Sequence, residues 1–190
     1  MDYSKYKQSR DLAWQVLIDN NISELPVKVS NICKALNIII INYEDGKDII
    51  DKFDLSSHTI NNDGFSYKNV IFYNNKCIIP RQRFTVGHEL GHILLHTEGI
   101  YNREPSENDS PIEQEANVFA SRLLAPACVL WGLGITSAEQ IAQFCDISIT
   151  AAQFRKERLD LLYKRNKFLI SPLERQVYAQ FKDYINKNKL

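Results

Sequence analysis

The alternation of hydrophobic and polar residues divides the chain into helices, a short strand-rich stretch, and helices again. Helical spacing of apolar residues predicts helices over residues 4–20 and 28–36, and the β-branched run Ile38–Tyr43 predicts a buried strand. Between residues 57 and 80, short apolar runs alternate with turn residues, which is typical of a small meander. Its predicted strands are SHTI, FSY, VIFY and CII.

After Pro80 the apolar spacing changes from two residues to about 3.6, which predicts a long helix ending near Thr97. A polar loop is expected over residues 98–109. The run Ser110-Pro111-Ile112-Glu113 is a helix-start signature, because serine caps the helix, proline suits its first position and glutamate its third. This second helix should end near Pro126, and about 129–190 is predicted to be almost entirely helical. The order of elements indicates an α+β fold.

Composition indicates one globular protein without a surface built to coat nucleic acid. The 190 residues include 23 basic and 23 acidic side chains, whereas proteins that coat a duplex usually carry a basic excess. The N-terminus is too polar for a signal peptide, and no apolar run approaches the roughly 20 residues of a membrane span. The four cysteines are widely spaced, as free thiols of a reducing compartment usually are: Cys33, Cys77, Cys128 and Cys145. We therefore expect a soluble cytoplasmic protein with no membrane partner.

The helix after Pro80 contains the strongest chemical signal, His88-Glu89-Leu90-Gly91-His92. Two histidines four residues apart lie on one helical face, about 6 Å apart along the axis, and can hold one Zn²⁺ through imidazole nitrogens. Glu89 lies about 100° around the helix, so it is placed to act on a water beside the metal rather than to bind the metal. We therefore predict one zinc ion per chain, with His88 and His92 as ligands and Glu89 as the catalytic base.

A catalytic zinc needs a third protein ligand and one open position. The HExxHxxGxxH arrangement does not apply, because Leu95 and Glu98 stand where the glycine and the third histidine would be. The next helix offers Glu113 and Glu115, between which helical periodicity does not decide. Glu113 already has a role in the capping box, so we prefer Glu115 as the ligand. His96, one turn further along the first helix, is interpreted as a hydrogen-bonded helix-end histidine, with support of the site as the alternative.

Two blocks of this sequence resemble the ImmA/IrrE family of zinc metallopeptidases. The first block is Arg83–His96, and the second is Glu115–Ala120 together with Leu123–Pro126. The two blocks stand in the same order as in the family. The resemblance implies a zincin-like core in which the two histidines and the glutamate before Ala-Asn bind zinc, which coincides with His88, His92 and Glu115. Members of the family cleave helix-turn-helix repressors and so relieve the repression of genes of mobile elements, prophages or stress responses. The chain resembles the short members, which have no additional C-terminal sensor domain.

The C-terminal part has the residue spacing of a helix-turn-helix unit. Residues 141–148, followed by Ala152 and Arg155, fit that spacing, with Asp146 at the left-handed turn position. Ser137 and Gln140 form a capping box for the first helix. Neutral net charge favours a unit that packs beside the peptidase core over one that contacts DNA. We therefore expect a core over residues 1–128 and a helical subdomain over 129–190.

The sequence as a whole favours a zinc endopeptidase that cleaves a helix-turn-helix repressor. The alternative is a regulator that binds a repressor or DNA through the same fold without cleaving it. The intact His-Glu-x-x-His argues for the enzyme, because a binding module has no need of Glu89 as a base.

Overall fold

The computed structural model of the chain describes residues 6–96 and 110–190, so the predicted loop over 98–109 lies outside the described residues. Within these ranges the structure has ten α-helices and three short strands. The helices are α1 (Lys7–Asp19), α2 (Val29–Ala35), α3 (Lys47–Lys52), α4 (Ile79–Leu95), α5 (Pro111–Leu124), α6 (Ala127–Gly132), α7 (Ala138–Cys145), α8 (Ile149–Arg165), α9 (Pro172–Gln180) and α10 (Lys182–Asn188). The strands are β1 (Ile39–Asn42), β2 (Gly64–Tyr67) and β3 (Val70–Tyr73), and a 3₁₀ helix spans Ser56–Thr59.

Two of the four strands predicted between residues 57 and 80 are confirmed, as β2 and β3, and the other two predictions are wrong. SHTI belongs mostly to the 3₁₀ helix, and CII runs into the start of α4. Pro80 explains the second error, because proline in the first turn of a helix has the required φ and lacks only an N–H that would have no partner there. The short helix α3 was not predicted.

The three strands form one mixed sheet in the order β1-β3-β2. β1 runs parallel to β3, and β2 runs antiparallel to it. On one side of this sheet Phe65 stacks on Phe72, with ring centroids 4.8 Å apart, and both pack with Ile50 and Leu55 in a buried cluster. The expected α+β class is confirmed, and the small sheet is mixed rather than a purely antiparallel meander.

Contacts within the chain divide it into two compact units. One is Val29–Ala120, which contains the sheet, α2, α3, α4 and most of α5. The other joins the residues up to Lys28 with Ser121–Leu190, and the regular elements in its described part are all helices. The expected boundary between residues 128 and 129 stays a prediction.

Two glycines allow close approaches of the backbone around α4. A Cβ atom at Gly91 would lie 2.9 Å from Phe119 Cδ1 and 3.3 Å from the Cα atom of Ala116, so α5 packs directly against α4 there. A Cβ atom at Gly64 would lie 2.3 Å from Thr85 Cγ2, so β2 also lies against α4. Neither approach leaves room for a side chain.

The helical unit contains the predicted helix-turn-helix spacing as α7 and α8. The capping box of α7 is confirmed, since Ser137 Oγ accepts from the Gln140 N–H at 3.2 Å and Gln140 Oε1 accepts from the Ser137 N–H at 3.1 Å. Asp146 has the predicted left-handed conformation, with φ 50°. Arg155, however, is only 2% exposed, and its Nε–H donates to the carbonyl oxygen of Ala125 at 2.6 Å. Arg155 therefore packs the unit together and is not a surface cation.

Most of the cysteines lie in the interior. Cys33, Cys128 and Cys145 are buried, and Cys77 is partly exposed. Burial raises the pKa of the Cys33 thiol to about 12, so this thiol stays protonated at neutral pH. Among the residues described here, no helix combines the length and the apolar character needed to cross a membrane.

The packing at Gly91 leads to a stability prediction. We expect Gly91→Val to lower the free energy of unfolding by about 1–3 kcal/mol, because its side chain has to displace Phe119 and the backbone at Ala116. Gly91→Ala should cost less, since the smaller clash is offset by a gain in helix propensity of about 1 kcal/mol. Thermal and chemical denaturation of both variants measures this, and a Gly91→Val protein as stable as the unmodified one would contradict the packing.

Candidate metal centre

The α4 helix brings His88 and His92 together on one face, as their spacing predicts. Their ring centroids are 4.5 Å apart, and their Nε2 atoms are 2.9 Å apart. His92 is fully buried, and the side chain of His88 is 14% exposed. The two Nε2 atoms thus converge at one point, and His88 is the partly exposed member of the pair.

Glu113 completes a group of three metal-binding side chains at this point. Its Oε2 atom lies 3.0 Å from His88 Nε2, and its Oε1 atom lies 3.4 Å from His92 Nε2. One ligand atom from each of the three residues lies within 4.8 Å of the others. Ligand atoms at 2.0–2.1 Å from a tetrahedral zinc ion lie about 3.3 Å from one another, so the spacing and the donor types fit such an ion.

The structure does not bring Glu115 to the two histidines. The Oε2 atom of Glu115 lies 3.6 Å from Nε2 of His96 instead. Two residues along a helix turn the side-chain direction by about 200°, so Glu113 and Glu115 face different ways. The preference for Glu115 rested on a capping box that would engage the Glu113 side chain, whereas in the structure the Glu113 N–H donates to Ser110 Oγ at 3.3 Å and its carboxylate lies against the two histidines. The carboxylate of Glu113 therefore remains available for the histidines, and Glu113 replaces Glu115 in the candidate site.

Asn117 orients the His88 ring from one turn further along α5. Its Oδ1 atom lies 2.9 Å from His88 Nδ1. Because an amide oxygen only accepts hydrogen bonds, Nδ1 of His88 carries the proton and donates it. With the proton on Nδ1, the neutral ring has its lone pair on Nε2, directed toward Glu113 and His92, which is the tautomer that a metal requires.

Glu89 lies beside the group on the face of α4 that packs against β2. It is 2% exposed, and its Oε2 atom accepts a hydrogen bond from Ser66 Oγ at 2.8 Å. The other oxygen, Oε1, lies 4.0 Å from His88 Nε2. Burial, followed by the negative charges of Glu89 and Asp63, raises the pKa of Tyr43, so this phenol stays neutral at physiological pH.

The structure thus confirms the convergence of His88 and His92 and the separate direction of Glu89, and it adds two residues that sequence reasoning missed. Asn117 had a usable signal, because it lies four residues after Glu113 and therefore on the same helical face. Ser66 had none, since its contact with Glu89 spans 23 residues and depends on how β2 packs.

The choice between the two glutamates can be tested by metal affinity. We expect Glu113→Ala to weaken zinc binding by more than the roughly 10- to 100-fold typical of losing a residue that only supports a ligand. The matched variant Glu115→Ala should bind zinc within a few-fold of the unmodified protein. Competition with a chromophoric chelator measures both affinities, and the opposite order would restore Glu115 as the ligand.

The support from Asn117 gives a second prediction for the same assay. Asn117→Ala should weaken zinc binding by about 10- to 100-fold, because the His88 ring loses the partner that fixes its tautomer and orientation. Asn117→Asp should keep most of the affinity, since a carboxylate oxygen accepts the same hydrogen bond. Equal affinities in all three proteins would show that the contact does not orient the ligand.

Comparison with known proteins agrees with this geometry. The family model of the IrrE N-terminal-like domain, peptidase family M78, matches residues 33–157. That range includes the sheet, the two histidines, Glu89 and Glu113, and it agrees with the expected zincin-like α+β core. No individual curated protein matches the sequence. Since the match covers more than half of the chain and includes its candidate metal ligands, the chain belongs to the ImmA/IrrE family of metallopeptidases.

Proposed function

We propose that the protein is a zinc-dependent endopeptidase whose substrate is a helix-turn-helix transcriptional repressor. The observation that supports this most directly is the convergence of His88, His92 and Glu113 on one point, with the carboxylate of Glu89 beside it. Three protein ligands with an open position and an adjacent carboxylate are typical of catalytic rather than structural zinc sites. Zinc held there supplies a Lewis acid for the scissile carbonyl and lowers the pKa of a nearby water from 15.7 toward about 7.

In this proposal the side chains of the chain have separate tasks. His88, His92 and Glu113 hold the ion, and Asn117 keeps His88 in the binding tautomer. Glu89 accepts a proton from the water that attacks the peptide carbonyl, and it later gives that proton to the amine that leaves. The distance of 4.0 Å from Glu89 Oε1 to His88 Nε2 supports a role for Glu89 beside the proposed ligands rather than as one of them.

The proposed substrate rests on family membership and agrees with two features of the chain. In the described sheet β2 is an edge strand with β3 as its neighbour, and an edge strand can pair with an extended polypeptide segment. The burial of Arg155 removes one cation from the set that could contact DNA, and Lys156 is paired with Asp160 at 2.6 Å. We therefore propose a protein partner rather than DNA. Because repressors act in the cytoplasm, the protein is expected there.

The catalytic role of Glu89 can be separated from metal binding. We expect Glu89→Gln to bind zinc as the unmodified protein does and to lose cleavage by on the order of 10² or more, since the amide cannot take up a proton. The assay incubates the zinc-loaded proteins with the repressor encoded by the adjacent gene and follows intact mass.

Two complementary fragments from the unmodified protein alone would establish the substrate and the base together. Equal cleavage by Glu89→Gln would contradict the mechanism. An intact repressor in a stable complex with both proteins would contradict the peptidase proposal and favour the regulator that binds without cleaving.

A further inference from the structure

The hydroxyl of Ser66 reaches the carboxylate of Glu89 from the sheet. Ser66 lies in the middle of β2 and is 9% exposed, and its Oγ–H donates to Glu89 Oε2 at 2.8 Å. Both groups are therefore shielded from water, in which a hydrogen bond of this kind would contribute little.

The contact follows from how β2 lies along α4. Gly64 and Ser66 are two residues apart in a strand, so they face the same side, whereas Phe65 faces the apolar cluster. Thr85 and Glu89 are four residues apart in α4 and share one helical face. The two spacings are nearly equal, about 6.7 Å along a strand and 6.0 Å along a helix. Gly64 therefore meets Thr85 where Ser66 meets Glu89, and the missing side chain at Gly64 brings the hydroxyl within bonding distance.

We propose that Ser66 is a positioning residue for the reaction: it fixes the orientation of the Glu89 carboxylate, so that the oxygen not bonded to Ser66 handles the proton. This inference rests on the proposed peptidase function. By donating to Oε2, Ser66 fixes the rotation of the carboxylate, so that Oε1 is the oxygen that lies 4.0 Å from His88 Nε2. Without this hydrogen bond, the contact from the sheet no longer holds the carboxylate plane at one angle.

In this arrangement a single oxygen of Glu89, Oε1, takes up the proton of the water and later gives it away. As the water oxygen bonds to the peptide carbon, the water O–H bond breaks and its proton moves to Oε1. When the C–N bond breaks, the proton leaves Oε1 for the amine nitrogen, and the carboxylate is restored. The hydroxyl proton of Ser66 stays on Oγ throughout, so Ser66 contacts neither the substrate nor the metal.

Three variants at position 66 separate hydrogen bonding from space filling. Ser66→Ala removes the hydroxyl, Ser66→Cys keeps the volume with a much weaker donor, and Ser66→Thr keeps the donor in a residue that suits a strand. We expect kcat to fall by about 10- to 100-fold in Ser66→Ala and Ser66→Cys and to recover in Ser66→Thr, with KM and zinc affinity within a few-fold of the unmodified protein.

A double-mutant cycle between positions 66 and 89, together with crystal structures, distinguishes the positioning role from a general loss of folding. If Ser66 acts through Glu89, adding Ser66→Ala to Glu89→Gln should cause less than a twofold further loss. Crystal structures should show Glu89 in one orientation in the unmodified protein and in more than one orientation in Ser66→Ala.

A full further loss when Ser66→Ala is added to Glu89→Gln, or a loss that follows zinc affinity, would overturn the positioning role. An unchanged single orientation of Glu89 in Ser66→Ala would overturn it as well, whether or not a substrate is cleaved. If neither the unmodified protein nor Glu89→Gln cleaves the repressor, the proposed function is wrong. The orientation of Glu89 in the crystal structures of the unmodified protein and Ser66→Ala still tests the role of Ser66.

Discussion

The close packing of α5 on α4 at Gly91 is the constraint on which the candidate site depends. A glycine inside a helix costs about 1 kcal/mol relative to alanine, so its position here needs a packing reason. That reason is the approach of Ala116 and Phe119, which leaves no room for a Cβ atom. Glu113 lies one turn before Ala116, and His88 and His92 flank Gly91 on α4. The same approach therefore brings the carboxylate to the two imidazoles.

The α4 helix also directs the proposed metal ligands and the proposed base, Glu89, to different neighbours. Its histidines face α5, from which Glu113 and Asn117 reach them, and Glu89 faces β2, from which Ser66 reaches it. Adjacent residues in a helix point about 100° apart, so neighbours in sequence can serve different partners. A metal bound by the histidines and the proposed base Glu89 would therefore lie close together without Glu89 being a ligand.

The sequence predicts the local parts of this site and not the parts that depend on packing. The spacing of His88 and His92 is a property of one helix, and the structure confirms it. The choice of Glu115 does not fit the geometry, because it assumed that the capping box engages the carboxylate of Glu113. In the structure that carboxylate lies 3.0 Å from His88 Nε2 and 3.4 Å from His92 Nε2. Ser66 could not be predicted at all, since its position depends on the approach of a strand to a helix 23 residues away.

For the fold as well, the sequence predicts local elements but not how distant elements pair. The helices with strong apolar periodicity were predicted within a few residues, and Pro80 turned one predicted strand into the start of α4. The parallel pairing of β1 with β3 joins residues about thirty apart, which the pattern within each strand does not encode.

Anomalous diffraction from a zinc-loaded crystal, collected on both sides of the zinc absorption edge, locates the ion and identifies its ligands. We expect a single strong peak about 2.0–2.2 Å from His88 Nε2, His92 Nε2 and a carboxylate oxygen of Glu113, with Glu89 beside the ion but not bound to it. A peak bound by Glu115 or His96, or a zinc ion away from both histidines, would contradict this assignment.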